Sequence, residues 1–292
     1  MKNVQQIPLV LQLDDVSATL GQVGGKGASL ARMANAGLPV PPGFYVTTAA
    51  YRRFVEANGL QEAILAAVRT ANPDDPATLE QAAACIGALF AGGTMPGDIA
   101  EAIRQAYAAL GNGDLAVAVR SSATAEDLPG MSFAGQQETY LNIRGETRVL
   151  DAVKRCWASL WTARAIGYRA RQGIAPQDVS LAVVVQELVP ADASGILFTA
   201  DPMTGSRDKV MLNAAWGLGE AIVGGQVTPD TIVVDKATGA ITTQEINDKE
   251  IMTVRTPEGT HEEPVPADRR KQAALTAAQA AELARVGVQI EQ

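Results

Sequence analysis

Two short strand-like segments joined by a long polar connection, residues 116–143, constrain this chain more than any other stretch. Residues 116–119 and 138–143 (ETYLNI) alternate in the way that predicts two strands. About fifteen residues join them, among them Ser121, Ser122, Thr124, Gly130, Ser132, Gly135 and two acids. A connection of that length, pinned at both ends inside a compact domain, is usually functional or disordered, and the flanking strands argue against disorder. Arg120 stands where the first strand ends, and a guanidinium there offers a planar fork of donors suited to phosphate oxygens. The small hydroxyl residues and Gly135 would let backbone N–H groups approach the same anion. A polar loop whose arginine pairs with Glu126 or Asp127 would look the same, so both readings stay open on composition.

The bulk properties exclude several classes. With 292 residues, 47% of them apolar, the chain can bury one large core or two modest ones. A net charge of −8 and the lack of a basic tract count against nucleic acid or an anionic membrane as a partner, so a polyanion site must be a local cluster. Cys85 and Cys156 fall in helix-like segments and read as buried free thiols, which fits a reducing, cytoplasmic setting. The N-terminal residues show no secretory signal pattern, and no apolar run is long enough for a bilayer span. His261 is the single histidine, which counts against most imidazole-based chemistry within the chain.

A second anion-binding feature lies near the N-terminus. Gly21, Gly24, Gly25 and Gly27 surround Lys26 just before an amphipathic helix predicted over about 28–36 and ended by Gly37. Lys26 would stand at a helix N-terminus, where backbone donors and the dipole favour an anion. The spacing is not that of a P-loop, because Gly27 occupies the hydroxyl position. A flexible turn with a solvated lysine is the alternative.

The remaining pattern reads in order. A strand is expected over 8–13 and another over 43–46, with Thr47 or Thr48 capping the next helix. Alanine-rich helices near 60–71, 77–91 and 97–110 form a structural insert spanning about 49–112. One helix is expected over 148–172, with Trp157 and Trp161 in the core and Arg164, Arg169 and Arg171 on a solvated face. SLAVVVQELV, residues 180–189, is a near-continuous apolar run and so a central strand buried on both faces. Gln186 interrupts it and needs a partner, either an adenine edge or neighbouring backbone. Further strands are expected at 195–199, 209–214 and 231–235, a glycine-rich connection with Glu220 near 217–225, a charged surface excursion over 247–268, and a helix over 268–290.

Five blocks together resemble one family. GGKGASL with PVPPGF, VRSSATAEDLP with SFAGQQETYLN, CWASLWTARAIGYR, VVVQELV with SGILFTADP, and AWGLGEAIVGGQVTPD are similar to the ATP-binding region of the phosphoenolpyruvate synthase, pyruvate phosphate dikinase and rifampicin phosphotransferase family. The resemblance implies an α+β, ATP-grasp-type nucleotide-binding fold of two lobes with mixed or antiparallel sheets and a helical insert, residues 1–187 and 188–292. It implies that Lys26 and Arg120 hold the triphosphate, that Gly135 and Thr139 lie along it, and that Gln186 with the backbone of Glu187 and Val189 contacts adenine. Family members pass the β-phosphoryl group of ATP to a histidine on a separate domain and then to pyruvate or a rifamycin hydroxyl. The implied partners are therefore ATP with Mg2+, a phosphohistidine domain and an acceptor domain. His261 does not match the family's histidine motif, so no catalytic residue is expected in this chain. The family's metal-binding segment, similar to PQDIEW, would follow Gln292, which leaves the metal ligands unknown and Glu220 and Asp230 as open candidates. A fragment of a larger phosphotransferase is the expectation, and a stand-alone nucleotide-binding remnant the alternative.

Overall fold

The structure, a computed structural model, describes residues 7–111, 113–124, 138–257 and 259–292. By its internal contacts the chain divides into two compact units, Met1–Leu188 and Val189–Gln292. Both are mixed α+β, with antiparallel sheets.

The first unit runs β1 (Val10–Gln12), α1 (Leu20–Asn35), β2 (Gly43–Val46), α2 (Thr48–Ala57), α3 (Gln61–Thr70), α4 (Pro76–Gly92) and α5 (Gly97–Leu110). It continues through β3 (Val117–Ala123), β4 (Thr139–Ile143), α6 (Glu146–Ser159), α7 (Ala163–Arg171) and β5 (Leu181–Glu187). The five strands form one sheet in the order β1-β2-β5-β3-β4. The most apolar strand, β5, takes the centre because only there are both of its faces covered. On one face Phe44, Val46, Val117, Val119, Val183 and Val185 pack beneath the helices, against Phe54, Phe90 and Trp157. Ring centroids 5.6 Å apart for Phe54–Phe90 and 5.1 Å for Phe54–Trp157 show how closely those helices interdigitate. On the other face α1 lays Val23 and Ala31 over Leu11, Tyr45 and Val184.

Several local expectations change here. The predicted 148–172 helix is two helices, because Thr162 caps a new one by accepting from the Ala165 N–H at 3.3 Å. Thr47 stands at the N-cap of α2, yet its hydroxyl is donated to Pro8 O at 2.6 Å instead of capping the helix. Arg169 is not on a solvated face: it is 5% exposed, with its guanidinium 4.9 Å from the Trp161 ring centroid. Cys156 is buried as expected, whereas Cys85 is exposed.

In the second unit β6 (Ala193–Phe198), β7 (Lys209–Trp216), β8 (Asp230–Asp235) and β9 (Ile241–Glu245) form a four-stranded sheet in chain order, with α8 (Glu220–Val223) between β7 and β8. A hairpin of β10 (Ile251–Thr256) and β11 (Gly259–Pro264) follows. α9 (Ala277–Glu291) closes the unit by packing Ala280 and Ala284 on Val210, Leu212, Ile232 and Val234. The helix starts later than 268 because Thr276 and Gln279 form a capping box, while 266–272 are turns. The stretch read as a surface excursion contains that hairpin and a fully buried lysine, Lys249. Among the described residues no single helix is long and apolar enough to cross a membrane.

Candidate functional site

Strand alternation decides which candidates share a face. Ala118, Arg120 and Ser122 point to the α1 side of the sheet, and Val117, Val119 and Ala123 to the helical core. Pairing register places Thr139 of β4 and Val184 of β5 opposite Arg120, then Tyr45 of β2 and Leu11 of β1 in the same row. Gln186 lies on that face in the next row, opposite Ala118 and Gly43. Arg120, Thr139 and Gln186 therefore stand on one face, the face over which α1 is laid.

Arg120 is partly buried, and its Nε, fully buried, has no hydrogen-bond partner among the described residues. Burial holds the guanidinium below its ordinary pKa. A desolvated guanidinium can bind an anion more strongly than a hydrated one, since little of its water shell remains to be removed.

The glycine-flanked lysine is not a loop before a helix, as expected, but part of one. α1 begins eight residues earlier than predicted, and Gly24 breaks it with φ 72° and ψ 178°. The break starts a second helical segment, and Lys26 falls in its first turn. Gly24 is required at the break: a Cβ there would lie 2.3 Å from Ser122 O, in a backbone region L-residues avoid. Lys26 Nζ lies 3.4 Å from Ser121 O, so the lysine reaches the middle of β3 one residue from Arg120, which is not at the end of its strand, as expected, but fourth of seven, because β3 runs on to Ala123.

Three hydroxyls hold this broken turn. Ser122 Oγ donates to Val23 O at 2.7 Å and accepts from Gly27 N at 3.1 Å. Tyr45 Oη lies 2.9 Å from Leu13 O and 3.0 Å from Gly27 O, and its burial raises the phenol pKa well above the ordinary value. Thr48 Oγ1 donates to Gly21 O at 2.7 Å. The sequence suggested that Ser122, as a small residue, lets backbone N–H groups approach an anion; its hydroxyl is used inside the protein.

The other candidates are placed as follows. Gln186 is 5% exposed and donates from Nε2 to Pro41 O at 3.0 Å, so neighbouring backbone satisfies it. The Glu187 N–H goes to Pro42 O at 2.9 Å, and Val189 is 49% exposed. Gly135 and the acids Glu126 and Asp127 lie outside the described residues. For a metal, the described residues contain no group of three or more His, Cys, Asp or Glu side chains that could hold one. Asp230 is committed elsewhere, to Lys249 Nζ at 2.6 Å and to the N–H groups of Asn247 and Ala274.

Residues 20–292 match the family described as "Pyruvate phosphate dikinase, AMP/ATP-binding domain". The chain belongs to that family. Among its relatives, a probable phosphoenolpyruvate synthase of Pyrococcus abyssi is 48% identical, over 81% of this chain and 33% of the relative. The probable phosphoenolpyruvate synthase of Methanothermobacter thermautotrophicus is 45% identical, over 95% of the chain and 40% of the relative. A rifampicin phosphotransferase of Streptomyces sviceus is 44% identical, over 100% of the chain and 33% of the relative. The chain thus spans about a third of the length of the curated relatives it matches. Within this AMP/ATP-binding domain, Lys26 reaches Ser121 O, next to Arg120 in the middle of β3.

Proposed function

We propose that this chain is the nucleotide-binding part of a dikinase-type phosphotransferase with an ATP-grasp-type architecture. The observation that carries the reading is that Lys26 reaches Ser121 O, next to the partly buried Arg120 in the middle of β3, whose Nε has no hydrogen-bond partner among the described residues. Two cations fixed by a helix break and by a strand of the sheet suit the charge that builds on a transferring phosphoryl group, where catalysis rests on positioning and charge neutralisation. Thr139 and Gly135 would lie along the triphosphate. Gln186 and the backbone of Glu187 and Val189 would meet the adenine, Gln186 through its second amide hydrogen or its carbonyl. Mg2+ would arrive with the triphosphate as part of the substrate, since the described residues supply no carboxylate cluster for it. The phosphoryl group would pass to a histidine on a separate domain, as the family resemblance implies, and then to pyruvate, in line with the phosphoenolpyruvate in the names of the synthase relatives. Transfer to a rifamycin is the second reading, favoured by the rifampicin phosphotransferase match over 100% of the chain. A cytoplasmic setting fits the two free cysteines.

Calorimetric titration with magnesium and ATP tests the site directly. The wild-type chain should bind, and Lys26→Ala and Arg120→Ala should each lose about tenfold or more in affinity, the scale of one charge-assisted contact. Unchanged affinity in both folded variants would sink the assignment of these two residues. In the protein carrying this domain together with its phosphohistidine domain, release of AMP from ATP that depends on pyruvate, as opposed to a rifamycin, decides between the two acceptors.

A further inference from the structure

The hydroxyl of Ser122 sits inside a helix that its own strand does not belong to. In an unbroken α-helix the Gly27 N–H would bond to Val23 O directly, since the two are four residues apart. Here Ser122 Oγ is inserted between them, accepting from the first at 3.1 Å and donating to the second at 2.7 Å. A side chain that enters the hydrogen-bond ladder is a recognised cause of a sharp bend. The bend falls at Gly24, whose φ of 72° leaves the helical region. Ser122 also caps, from another strand, the turn that carries Lys26, doing for the second segment of α1 what a local N-cap residue does for an ordinary helix.

We propose that Ser122 is a positioning residue: its hydroxyl keeps α1 broken at Gly24 and thereby sets Lys26 beside Ser121 of β3 for the phosphates. This rests on the proposed nucleotide reading. Ser122 has no exposed surface, and its hydroxyl donates its proton to Val23 O and accepts from Gly27 N, so it acts on the ligand through Lys26 alone. Without the hydroxyl, Val23 O and Gly27 N can be satisfied only by closing up on each other, which returns Gly24 towards helical geometry and moves the turn bearing Lys26. Tyr45 and Thr48 hold the flanks of the same turn, at Gly27 O and Gly21 O, but neither enters the break.

The test compares ATP with adenosine, which lacks phosphates, by calorimetry on the full chain in wild type, Ser122→Ala, Lys26→Ala and the double variant. Ser122→Ala should weaken ATP about tenfold and change adenosine less than about twofold, and in the Lys26→Ala background its effect on ATP should fall below about threefold. An equal loss for both ligands, or a loss that persists undiminished without Lys26, would make Ser122 an ordinary packing residue and overturn the proposal. Should Ser122→Ala fail to fold, Ser122→Cys, close in size and a poorer hydrogen-bonding group, carries the same test: an ATP-selective loss supports the proposal, and an equal loss or none overturns it. A folded wild type that binds no ATP removes the nucleotide reading and this inference together. A wild type that depends on Lys26 but not on Ser122 removes only this one.

Discussion

The ammonium of Lys249 lies 2.6 Å from Oδ1 of Asp230, and neither side chain has any exposed surface. Asp230 opens β8, and its carboxylate also accepts from the N–H groups of Asn247 at 3.0 Å and Ala274 at 2.8 Å. The pair thus ties both ends of the excursion that carries the β10–β11 hairpin to the sheet of the second unit. Removing one partner leaves a buried charge with no compensation, so Asp230→Asn or Lys249→Met should each cost about 3–5 kcal/mol. The double variant should cost less than the sum, because it removes both charges. Urea unfolding of the three variants checks this, and additive losses would show that the two groups act independently.

Gly24 and Gly37 both have positive φ, 72° and 74°, but only Gly24 has backbone in the way of a Cβ. Gly37→Ala should therefore cost only the left-handed penalty, about 1 kcal/mol. Gly24→Ala should cost about 3 kcal/mol or more, since strain and overlap with Ser122 O add. Equal losses in denaturant unfolding would mean that the crowding at the α1 break relaxes freely.

Burial raises the Tyr51 phenol to about 12, against contributions from Trp161 and Arg169 that lower it. The neutral form is the one the fold favours. Its stability is whole below the unfolded value near 10 and is lost as pH rises towards 12, because the unfolded chain releases the proton first. The free energy of unfolding should fall over that window by up to about 3 kcal/mol, and part of that fall should vanish in Tyr51→Phe. An identical alkaline profile in Tyr51→Phe would exclude Tyr51 as a source.

Arg169 lies 5% exposed with its Nη2 buried and without a partner among the described residues, and burial pushes its pKa down to about 10. The cation–π contact with Trp161 returns about 2 kcal/mol, less than the several kcal/mol of an unpaired buried charge. Arg169→Met should therefore raise stability at pH 7 by about 1–2 kcal/mol. The sign with pH is opposite to that of Tyr51. The folded arginine sheds its proton above about 10, before the unfolded one, so the wild type recovers stability and the gain from Arg169→Met shrinks as pH rises. A loss of stability at pH 7 in the variant would show that the ring contact outweighs the desolvation.

Much of the first unit was legible because its signals are local. The run LAVVVQE predicts a central strand whatever surrounds it, and it lies third of five. The helices of the insert begin and end at proline, glycine and aspartate positions that punctuate any chain, as Asp75 and Pro76 do at the start of α4. That Lys26 lies near a helix start was legible, but not that it lies within a helical turn, nor the cause. Nothing in GGKG tells that helix already surrounds it, because the residue that breaks the helix open lies 95 positions away. Lys249 and Arg169 were read as solvent-facing for the same reason: long charged side chains are usually exposed, and only a distant partner, Asp230 or the Trp161 ring, shows otherwise.

The sequence by itself determined the α+β composition, the strands and helices with local start and stop signals, and the family, since these rest on contiguous blocks of residues. Only the tertiary structure decided which polar groups are spent inside the protein. Ser122 and Asp230 look equally available for a ligand in the sequence, yet Val23 and Gly27, and Lys249, claim them, while Gln186 gives up only one amide hydrogen, to Pro41 O. Arg120 differs in that no described residue claims its Nε. Hydrogen-bond satisfaction is a property of three-dimensional neighbours, which contiguous sequence does not reveal.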